Sequence, residues 1–301
     1  MHRAPKLLLA FLLGTGVAAV QPANRLMASS SEDPAGPPVQ AATLKPVAAK
    51  TPDIPFDTYE TQAEQQLLNL ANQSRRQAGV PPLTLDAGLS EAARRHAQAM
   101  LDARQLSHRF DGEAALPQRL AAVTSLQLDQ EGENVALDYD AEHGHEHLML
   151  SAPHRANLLN AAYNVIGLGV MRSGDRLYIV QDFGHALPSV SIAEWKDRVA
   201  TTVNTARHQA KLSELHRRDL LVADEAACSM AKADKLGTDP VHKLAERFTV
   251  LTYTSLHPET LPNGAAHALT GGNLQSFSVG ACYGRSDTYP AGVYWVVLTL
   301  E

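Results

Sequence analysis

The chain has 301 residues, of which 45% are hydrophobic and 19% charged, and these proportions are ordinary for globular proteins. That length fits two compact units plus a tail, since single domains usually contain about 100–200 residues. The net charge of −6 argues against a nucleic-acid-binding protein, because such proteins carry a basic patch or stripe. It also argues against electrostatic attachment to anionic membranes.

The first 19 residues have the layout of a secretory signal peptide. Arg3 and Lys6 make a basic start, an apolar run follows at residues 7–13, and small residues lead up to Ala19. A retained membrane anchor is the alternative, but the run is shorter than the about 20 apolar residues that span a membrane. We therefore expect cleavage after Ala18 or Ala19, and a secreted or periplasmic protein without a transmembrane span.

Residues 20–60 are rich in proline, alanine and serine and show no sustained hydrophobic periodicity. Such a stretch buries too little apolar surface to offset its ordering entropy, so it predicts a disordered linker. Order is expected to begin at Thr61, because Thr61 and Glu64 form a capping-box pattern.

Two helices with apolar stripes are predicted next. The first ends near Gly79, and the second follows Asp86 with apolar residues spaced by three and four. His96 lies inside that second stripe, and we interpret it as a satisfied core histidine. A short helix is expected after Pro117, followed by a turn at residues 131–136.

The next segment predicts two more helices and a hairpin. One helix covers about residues 141–150, and another begins at Ser151 as a cap with Pro153 in its first turn. Two β-type runs at residues 166–170 and 177–180 are joined by turn residues. Helices first and a hairpin last predict an α+β layered domain.

Several short motifs in this region resemble the CAP superfamily, which is also called SCP-like and includes cysteine-rich secretory, antigen 5 and pathogenesis-related proteins. The resemblance is to the bacterial SCP-like branch. It implies a three-layer α-β-α sandwich with a central groove over residues 61–187. The motifs are Asn69–Asn72 with Arg75–Arg76, Ser107–His108, Gly132–Ala136, Ser151–Leu159, Ile166–Val170 and Gln181–Gly184.

The groove of many family members carries two histidines and two glutamates. His108 and His154 match the histidines, and Glu133 matches one glutamate. The second glutamate has no match, and Glu146 is a candidate only because it lies nearby. The resemblance thus implies a groove site of His108, Glu133 and His154, which are also the candidate catalytic residues.

Two imidazoles and a carboxylate can hold a divalent metal such as zinc, or they can move protons near neutral pH. The alternative is that both histidines bond the backbone and fix loops. The sequence shows no Gly-x-Ser-x-Gly motif, and this domain contains no cysteine, so a covalent nucleophile is unsupported. We therefore favour a non-catalytic module that binds a small-molecule, lipid or envelope ligand. A metal-assisted or acid/base hydrolase of envelope material is the alternative.

Residues 192–301 repeat parts of the first unit in weaker form. Residues 203–210 resemble residues 71–78, and the runs 278–282 and 293–297 resemble the hairpin. The Gly-Glu-Asn and Pro-His-Arg motifs are missing. We expect a second, smaller, degenerate CAP-like α+β unit that lost the groove chemistry, with an unrelated α+β unit as the alternative.

The sequence contains two cysteines, Cys228 and Cys282, both in this second unit. An even number of cysteines in an exported protein favours a disulfide. Cys228 is expected on a helix and Cys282 on the strand beneath it, so we predict a bridge between them. Two buried thiols are the alternative.

Overall fold

The computed structural model describes residues 58–271 and 273–301. The predicted signal peptide and nearly all of the predicted linker lie outside these residues. The last linker residues, Thr58–Tyr59, form a short strand, so regular structure begins slightly earlier than Thr61. None of the helices within the described ranges is both long and apolar enough to cross a membrane.

The first unit consists of a sheet with helices on both faces. The strands are ordered β1-β4-β5-β3, and β2 pairs in parallel with β4. In chain order the elements are β1 Thr58–Tyr59, α1 Thr61–Gln77, β2 Thr84–Leu85, α2 Ala87–Ala103, α3 Leu116–Ala121, β3 Leu128–Asp138, α4 Ala141–Leu150, α5 Ala152–Leu158, β4 Val165–Ser173 and β5 Arg176–Ala186.

Two apolar layers cover the two faces of this sheet. On one face α1, α4 and α5 pack against Ile166, Leu168 and Val170 of β4. On the other face α2 packs against β3, β4 and β5. The predicted three-layer α-β-α sandwich is therefore confirmed.

Two glycines in β4 bring α2 into direct contact with the sheet. A Cβ at Gly167 would lie 2.1 Å from the carbonyl carbon of Leu89, and one at Gly169 would lie 2.2 Å from that of Ala93. Because adjacent strand residues face opposite sides, these glycines alternate with the apolar residues of the other layer. The predicted hairpin is present, and Gly174 at its turn has a φ of 59°.

The second unit repeats this topology on a smaller scale. Its sheet order is β6-β8-β9-β7, and β6 pairs in parallel with β8 as β2 does with β4. Within the described residues, one helix separates β7 from β8, whereas two separate β3 from β4. The elements are α6 Ile192–Gln209, β6 His216–Arg217, α7 Leu221–Ala233, α8 Asp239–Ala245, β7 Thr249–Ser255, α9 Ala265–Leu269, β8 Ser276–Gly284 and β9 Val293–Leu300.

The first helix of each unit carries the same polar anchor. Asn72 exchanges two hydrogen bonds with the backbone of Leu83, and Asn204 exchanges two with the backbone of Leu215. Three residues after each asparagine, an arginine binds backbone carbonyls of the following loop. The second unit is thus a reduced version of the first, as the sequence predicted.

The disulfide prediction is confirmed. Cys228 on α7 and Cys282 on β8 are bonded, with Cα atoms 5.0 Å apart and a sequence separation of 54. The bond ties a helix of the second unit to its sheet. It therefore closes a long loop that passes through α8, β7 and α9.

Two local predictions are wrong. The cap of α1 is Glu60 without a side-chain hydrogen bond, because Glu64 is buried and paired with Arg94 instead of reaching back along the helix. Ser151 is the cap residue of α5 with Pro153 in the first turn, as predicted, although its side chain makes no cap hydrogen bond. Residues 131–136 form part of β3 and not a turn, since they pair in register with β5.

Candidate functional site

The candidate site is built around Glu133 on β3. Its carboxylate is buried, and Oε1 lies 2.8 Å from Nδ1 of His108. Its other oxygen, Oε2, accepts a hydrogen bond from Nη2 of Arg119. Glu133 thus links an imidazole and a guanidinium that come from two different segments.

His108 lies in the loop after α2, with 55% of its side chain exposed. Because a carboxylate only accepts hydrogen bonds, the bond to Glu133 assigns the proton to Nδ1. The ring is therefore held in one orientation by a buried group while it still contacts solvent. Such an arrangement leaves Nε2 as the atom suited to meet a ligand.

Arg119 on α3 connects Glu133 to a second glutamate, Glu113. Nη1 of Arg119 lies 3.0 Å from Oε1 of Glu113. Burial alone would raise the pKa of Glu113, but hydrogen bonds from the Phe110 amide, His96 and Arg119 hold that pKa below its usual range. The two glutamates and the arginine form one charged network, in which each carboxylate is compensated.

His96 extends this network into the core. Its ring is fully buried, with Nδ1 2.7 Å from Oε1 of Glu113 and Nε2 2.8 Å from the carbonyl oxygen of Ser107. Each ring nitrogen of this predicted core histidine therefore has a hydrogen-bond partner. Through Ser107 it also fixes the loop that presents His108.

His154 lies on α5 and is half-buried. Burial lowers the pKa of His154, and the nearby charge of His108 lowers it further. The two histidines therefore approach each other closely enough to interact electrostatically. His154 is the ring that stays neutral down to a lower pH than an ordinary imidazole.

Asparagines attach α5 to β3 behind these rings. Asn134 donates to the carbonyl oxygen of His154 at 3.1 Å. Asn157 donates to the carbonyl oxygen of Glu133 at 3.2 Å and to Oδ1 of Asn134 at 2.9 Å. The two motifs that contain Glu133 and His154 thus bind each other directly, which accounts for their polar residues at buried positions.

Glu146 does not belong to this cluster. It is exposed on α4, where the buried positions are Ala141, Gly144, His145 and Leu148. Helical spacing therefore turns Glu146 to solvent, and the groups it influences electrostatically are His143 and His145. The second glutamate of the cluster is Glu113.

Sequence reasoning also missed Arg119 and Asp182. Glu113 and Arg119 lie in a stretch without clear hydrophobic periodicity, so no pattern marked them. Asp182 lies in the closing motif of the CAP resemblance, and β-sheet register places it opposite Glu133. Burial and then the charge of Glu133 raise the pKa of Asp182 well above its usual range.

The zinc ligand set expected from His108, Glu133 and His154 does not fit this geometry. The two carboxylate oxygens of Glu133 are engaged by His108 and by the positive charge of Arg119. Across residues 58–271 and 273–301, no three His, Cys, Asp or Glu side chains are grouped so that they could hold a metal ion. A cation here would have to displace Arg119, so we derive no chemistry through a metal.

The second unit lacks the acidic pair at the equivalent place. Gly169 pairs with Val180 and Gly280 with Val297, and each glycine lies directly beneath a helix. Two residues after Val180 on β5, Asp182 pairs with Glu133 in the first sheet. In the second sheet the corresponding pair is Thr299 with Val250. The expected loss of this groove chemistry from the second unit is thus seen in the strand register.

Comparisons with known proteins agree with these motifs. The family described as "CAP: Cysteine-rich secretory protein family" matches residues 68–183. Two uncharacterized Bacillus subtilis proteins are similar: the membrane protein YlbC, 33% identical over 141 residues (46% of this chain, 39% of that protein), and YkwD, 28% identical over 144 residues (45% and 56%).

Among solved structures, an extracellular protein containing a SCP domain from Bacillus anthracis is 28% identical, with a TM-score of 0.38. The match covers 42% of this chain and 41% of that one. The chain therefore spans well under two thirds of the length of these relatives. Residues 68–183 of this chain are thus similar to the CAP family, and the two Bacillus subtilis relatives match over a comparable length of the chain.

Proposed function

We propose that the CAP domain is an extracytoplasmic binding module whose ligand contacts the imidazoles of His108 and His154. The observation that carries this proposal is the 2.8 Å bond between His108 and buried Glu133, made by a ring that remains 55% exposed. A buried carboxylate that fixes an exposed ring prepares that ring to bind before any ligand arrives. Such preorganisation reduces the entropy lost on binding.

The charges of the cluster favour a polar, uncharged ligand group. Glu133 and Glu113 are both paired with Arg119, so neither carboxylate is left to attract a cation. The lowered pKa of His154 keeps that ring neutral, with one donor and one acceptor nitrogen. Hydroxyl and amide groups complement such a ring, and both are abundant in the glycan and peptide of the bacterial cell envelope.

The disulfide supports a location outside the cytoplasm. Structural disulfides persist in oxidising compartments, and Cys228–Cys282 joins α7 to β8 within the second unit. Together with the signal-peptide pattern of the first 19 residues, this supports a secreted or periplasmic protein.

An acid/base hydrolase is the second candidate. A histidine oriented by a carboxylate is the arrangement of a general base, and His108 with Glu133 has it. In that case Nε2 of His108 would take a proton from water. The hydrogen bonds of the described residues bring no serine or cysteine side chain to His108, so a covalent intermediate is not part of either candidate.

Co-sedimentation tests the proposal. The full exported chain is mixed with purified peptidoglycan sacculi or, separately, with phosphatidylglycerol vesicles, and the bound fraction is measured. We expect binding to sacculi that weakens by about tenfold or more in H108A and in H154A, because each variant loses a hydrogen bond to the ligand. The control variant H143A removes an exposed histidine that is paired with Asp140 outside the cluster, and it should bind normally.

Equal binding by all four proteins, or binding to neither material, would refute the proposed site. Release of soluble muropeptides by the wild type but not by H108A would replace the binding proposal with the hydrolase. Binding to vesicles alone would replace the polar envelope ligand with a lipid.

A further inference from the structure

The second unit contacts the first at the segment between α3 and β3. Arg285, in the loop after β8, donates from Nη1 to the carbonyl oxygen of Ala121 at 2.5 Å and from Nη2 to that of Thr124 at 2.7 Å. Farther along, Nε2 of His257 lies 3.2 Å from Oδ2 of Asp129. Two side chains of the second unit therefore hold the two ends of this segment.

The same segment connects two members of the candidate site. Arg119 lies in the last turn of α3, just before Ala121, and Glu133 lies in β3, just after Asp129. The side chain of Arg119 is only 9% exposed and binds both Glu113 and Glu133. A shift of α3 would therefore change the position of the guanidinium that holds Glu133.

Helix α3 needs support from outside itself. It has six residues, far fewer than the about 12–15 at which isolated helices become stable in water. The last carbonyl groups of a helix have no partner within it and carry a partial negative charge. Arg285 supplies two donors and a positive charge at that end.

The first unit supports the same segment from the opposite side. A Cβ at Gly88, at the start of α2, would lie 2.6 Å from the carbonyl oxygen of Val123. The turn after α3 is thus held between the beginning of α2 and Arg285. Removal of Arg285 would free one side of this contact and leave the other in place, so the fold itself should survive.

We propose that the second unit is a scaffold for the groove, and that Arg285 is a positioning residue that acts on Glu133 and His108 through α3 and Arg119. The unit carries valine and threonine where the first unit has Glu133 and Asp182, yet it keeps a four-stranded sheet, and the loop after β8 presents Arg285. Because the second unit lacks the groove residues but keeps this contact with the α3 segment, its role is to support that segment. The inference rests on the proposed function only in taking this groove as the binding site.

The experiment compares the full-length wild type with R285A, R285K and the control R218A by nuclear magnetic resonance. Arg218 is an exposed arginine whose partner, Glu301, lies in the same unit. The ring nitrogen shifts of His108 are recorded at pH 8.5, above the ordinary imidazole pKa of about 6.5, where they report the tautomer. Amide hydrogen exchange is followed over residues 116–124.

In wild type the proton of His108 should reside on Nδ1. In R285A we expect a mixture of tautomers and amide exchange about tenfold faster in residues 116–124, because that segment opens more readily. R285K keeps a cation able to reach one carbonyl, so its His108 shifts and exchange rates should lie nearer to those of wild type. R218A should give the same shifts and rates as wild type.

Unchanged His108 signals in R285A would overturn the inference, and so would equal changes in R218A, which would indicate general destabilisation. Because the His108 measurement needs no ligand, it tests positioning separately from the binding of sacculi. A changed tautomer with no sacculus binding in wild type would refute the proposed function and leave this inference standing.

Discussion

Glu64 and Lys196 occupy the same place in the first helices of the two units, yet they carry opposite charges. Each lies equally far before the asparagine anchor of its helix, Asn72 or Asn204. Glu64 pairs with Arg94 of α2 at 2.5 Å, whereas Lys196 pairs with Asp224 of α7 at 2.9 Å. The ion pair is thus present in both units with its polarity reversed.

The reversal preserves one contact with the sheet. In the first unit Glu64 accepts the backbone N–H of Val170 on β4 at 3.3 Å. In the second, Asp224 accepts the N–H of Ala281 on β8 at 3.0 Å. A carboxylate therefore lies beside this amide in both units, supplied by the first helix in one unit and by the second helix in the other.

Exchanging the charges of Lys196 and Asp224 should restore stability that is lost when only one of the two charges is changed. K196E places two carboxylates side by side, and we expect it to lower the free energy of unfolding by about 1–2 kcal/mol. The double variant K196E/D224R recreates the arrangement of the first unit, with the introduced glutamate on α6 available to the Ala281 amide. Urea unfolding of the wild type, both single variants and the double variant measures the coupling.

The double variant should recover at least half of the loss found in K196E. If the changes in unfolding free energy of the two single variants add up to that of the double variant, the two side chains are not coupled. The predicted equivalence of the two ion pairs would then be wrong.

A buried arginine, Arg75, binds four backbone carbonyl groups in the first unit. Nε of Arg75 donates to Pro81 O at 2.6 Å, and its Nη atoms donate to the carbonyl oxygens of Leu158, Asn160 and Tyr163, each at 2.9 Å. R75A would leave four carbonyl groups without this donor. We expect it to cost about 3–5 kcal/mol of stability in urea unfolding, because hydrogen bonds from a charged donor are lost and buried carbonyl acceptors are left without a partner.

The neighbouring variant R76A is the control, since Arg76 is exposed, and it should change stability by less than about 0.5 kcal/mol. R75K should be almost as harmful as R75A, because lysine lacks the planar fork that reaches several carbonyls at once. A mild effect of R75A would show that water replaces the guanidinium.

Hydrophobic periodicity predicted the helices and the hairpin because those elements bury apolar stripes. It failed at β3, where Glu133 and Asn134 are buried polar residues whose partners come from distant segments. A strand that buries polar residues lacks the alternating apolar pattern of an ordinary strand, so its sequence resembles that of a turn. The identity of the network around Glu133 depends on tertiary contacts, and for this reason Glu113 and Arg119 carried no local signal.

The sequence predicts the repeat where the second unit keeps the polar anchor of the first helix. It does not show the correspondence where the residues themselves differ. Asn204 and Arg207 retain their spacing, so the sequence identifies the first helix of the second unit. The replacement of Glu133 by Val250 becomes visible only through strand pairing, because the intervening loops differ in length.

The disulfide should contribute strongly to the stability of the second unit. By chain entropy, a bridge that closes a loop of this length adds about 4 kcal/mol. We expect a reductant to lower the melting temperature of wild type and to leave that of C228S/C282S unchanged. Titration of unfolded, unreduced protein should find no free thiol, and two free thiols would contradict the bridge.

Asp182 gives a prediction about pH. Burial, reinforced by the charge of Glu133, raises the pKa of Asp182 well above its usual range, so the folded chain keeps a proton that the unfolded chain releases near pH 3.9. The stability linked to this group is therefore complete below about pH 3.9 and is lost as the pH rises towards the folded pKa. D182N does not titrate and should escape that loss.

At pH 7 we expect D182N to be more stable than wild type by about 1 kcal/mol or more, since one pKa unit corresponds to about 1.4 kcal/mol. Near pH 3.5 the two proteins should be equally stable, because Asp182 is then protonated in both states of the wild type. Urea unfolding between pH 3.5 and 8 measures the difference, with D175N in the exposed hairpin turn as the control. The asparagine amide can donate to Glu133, so the substitution should be accommodated without loss of the cluster. Parallel curves for D182N and wild type over this whole range would mean that Asp182 is ionised in the folded protein and that Arg119 compensates it in addition to Glu113 and Glu133.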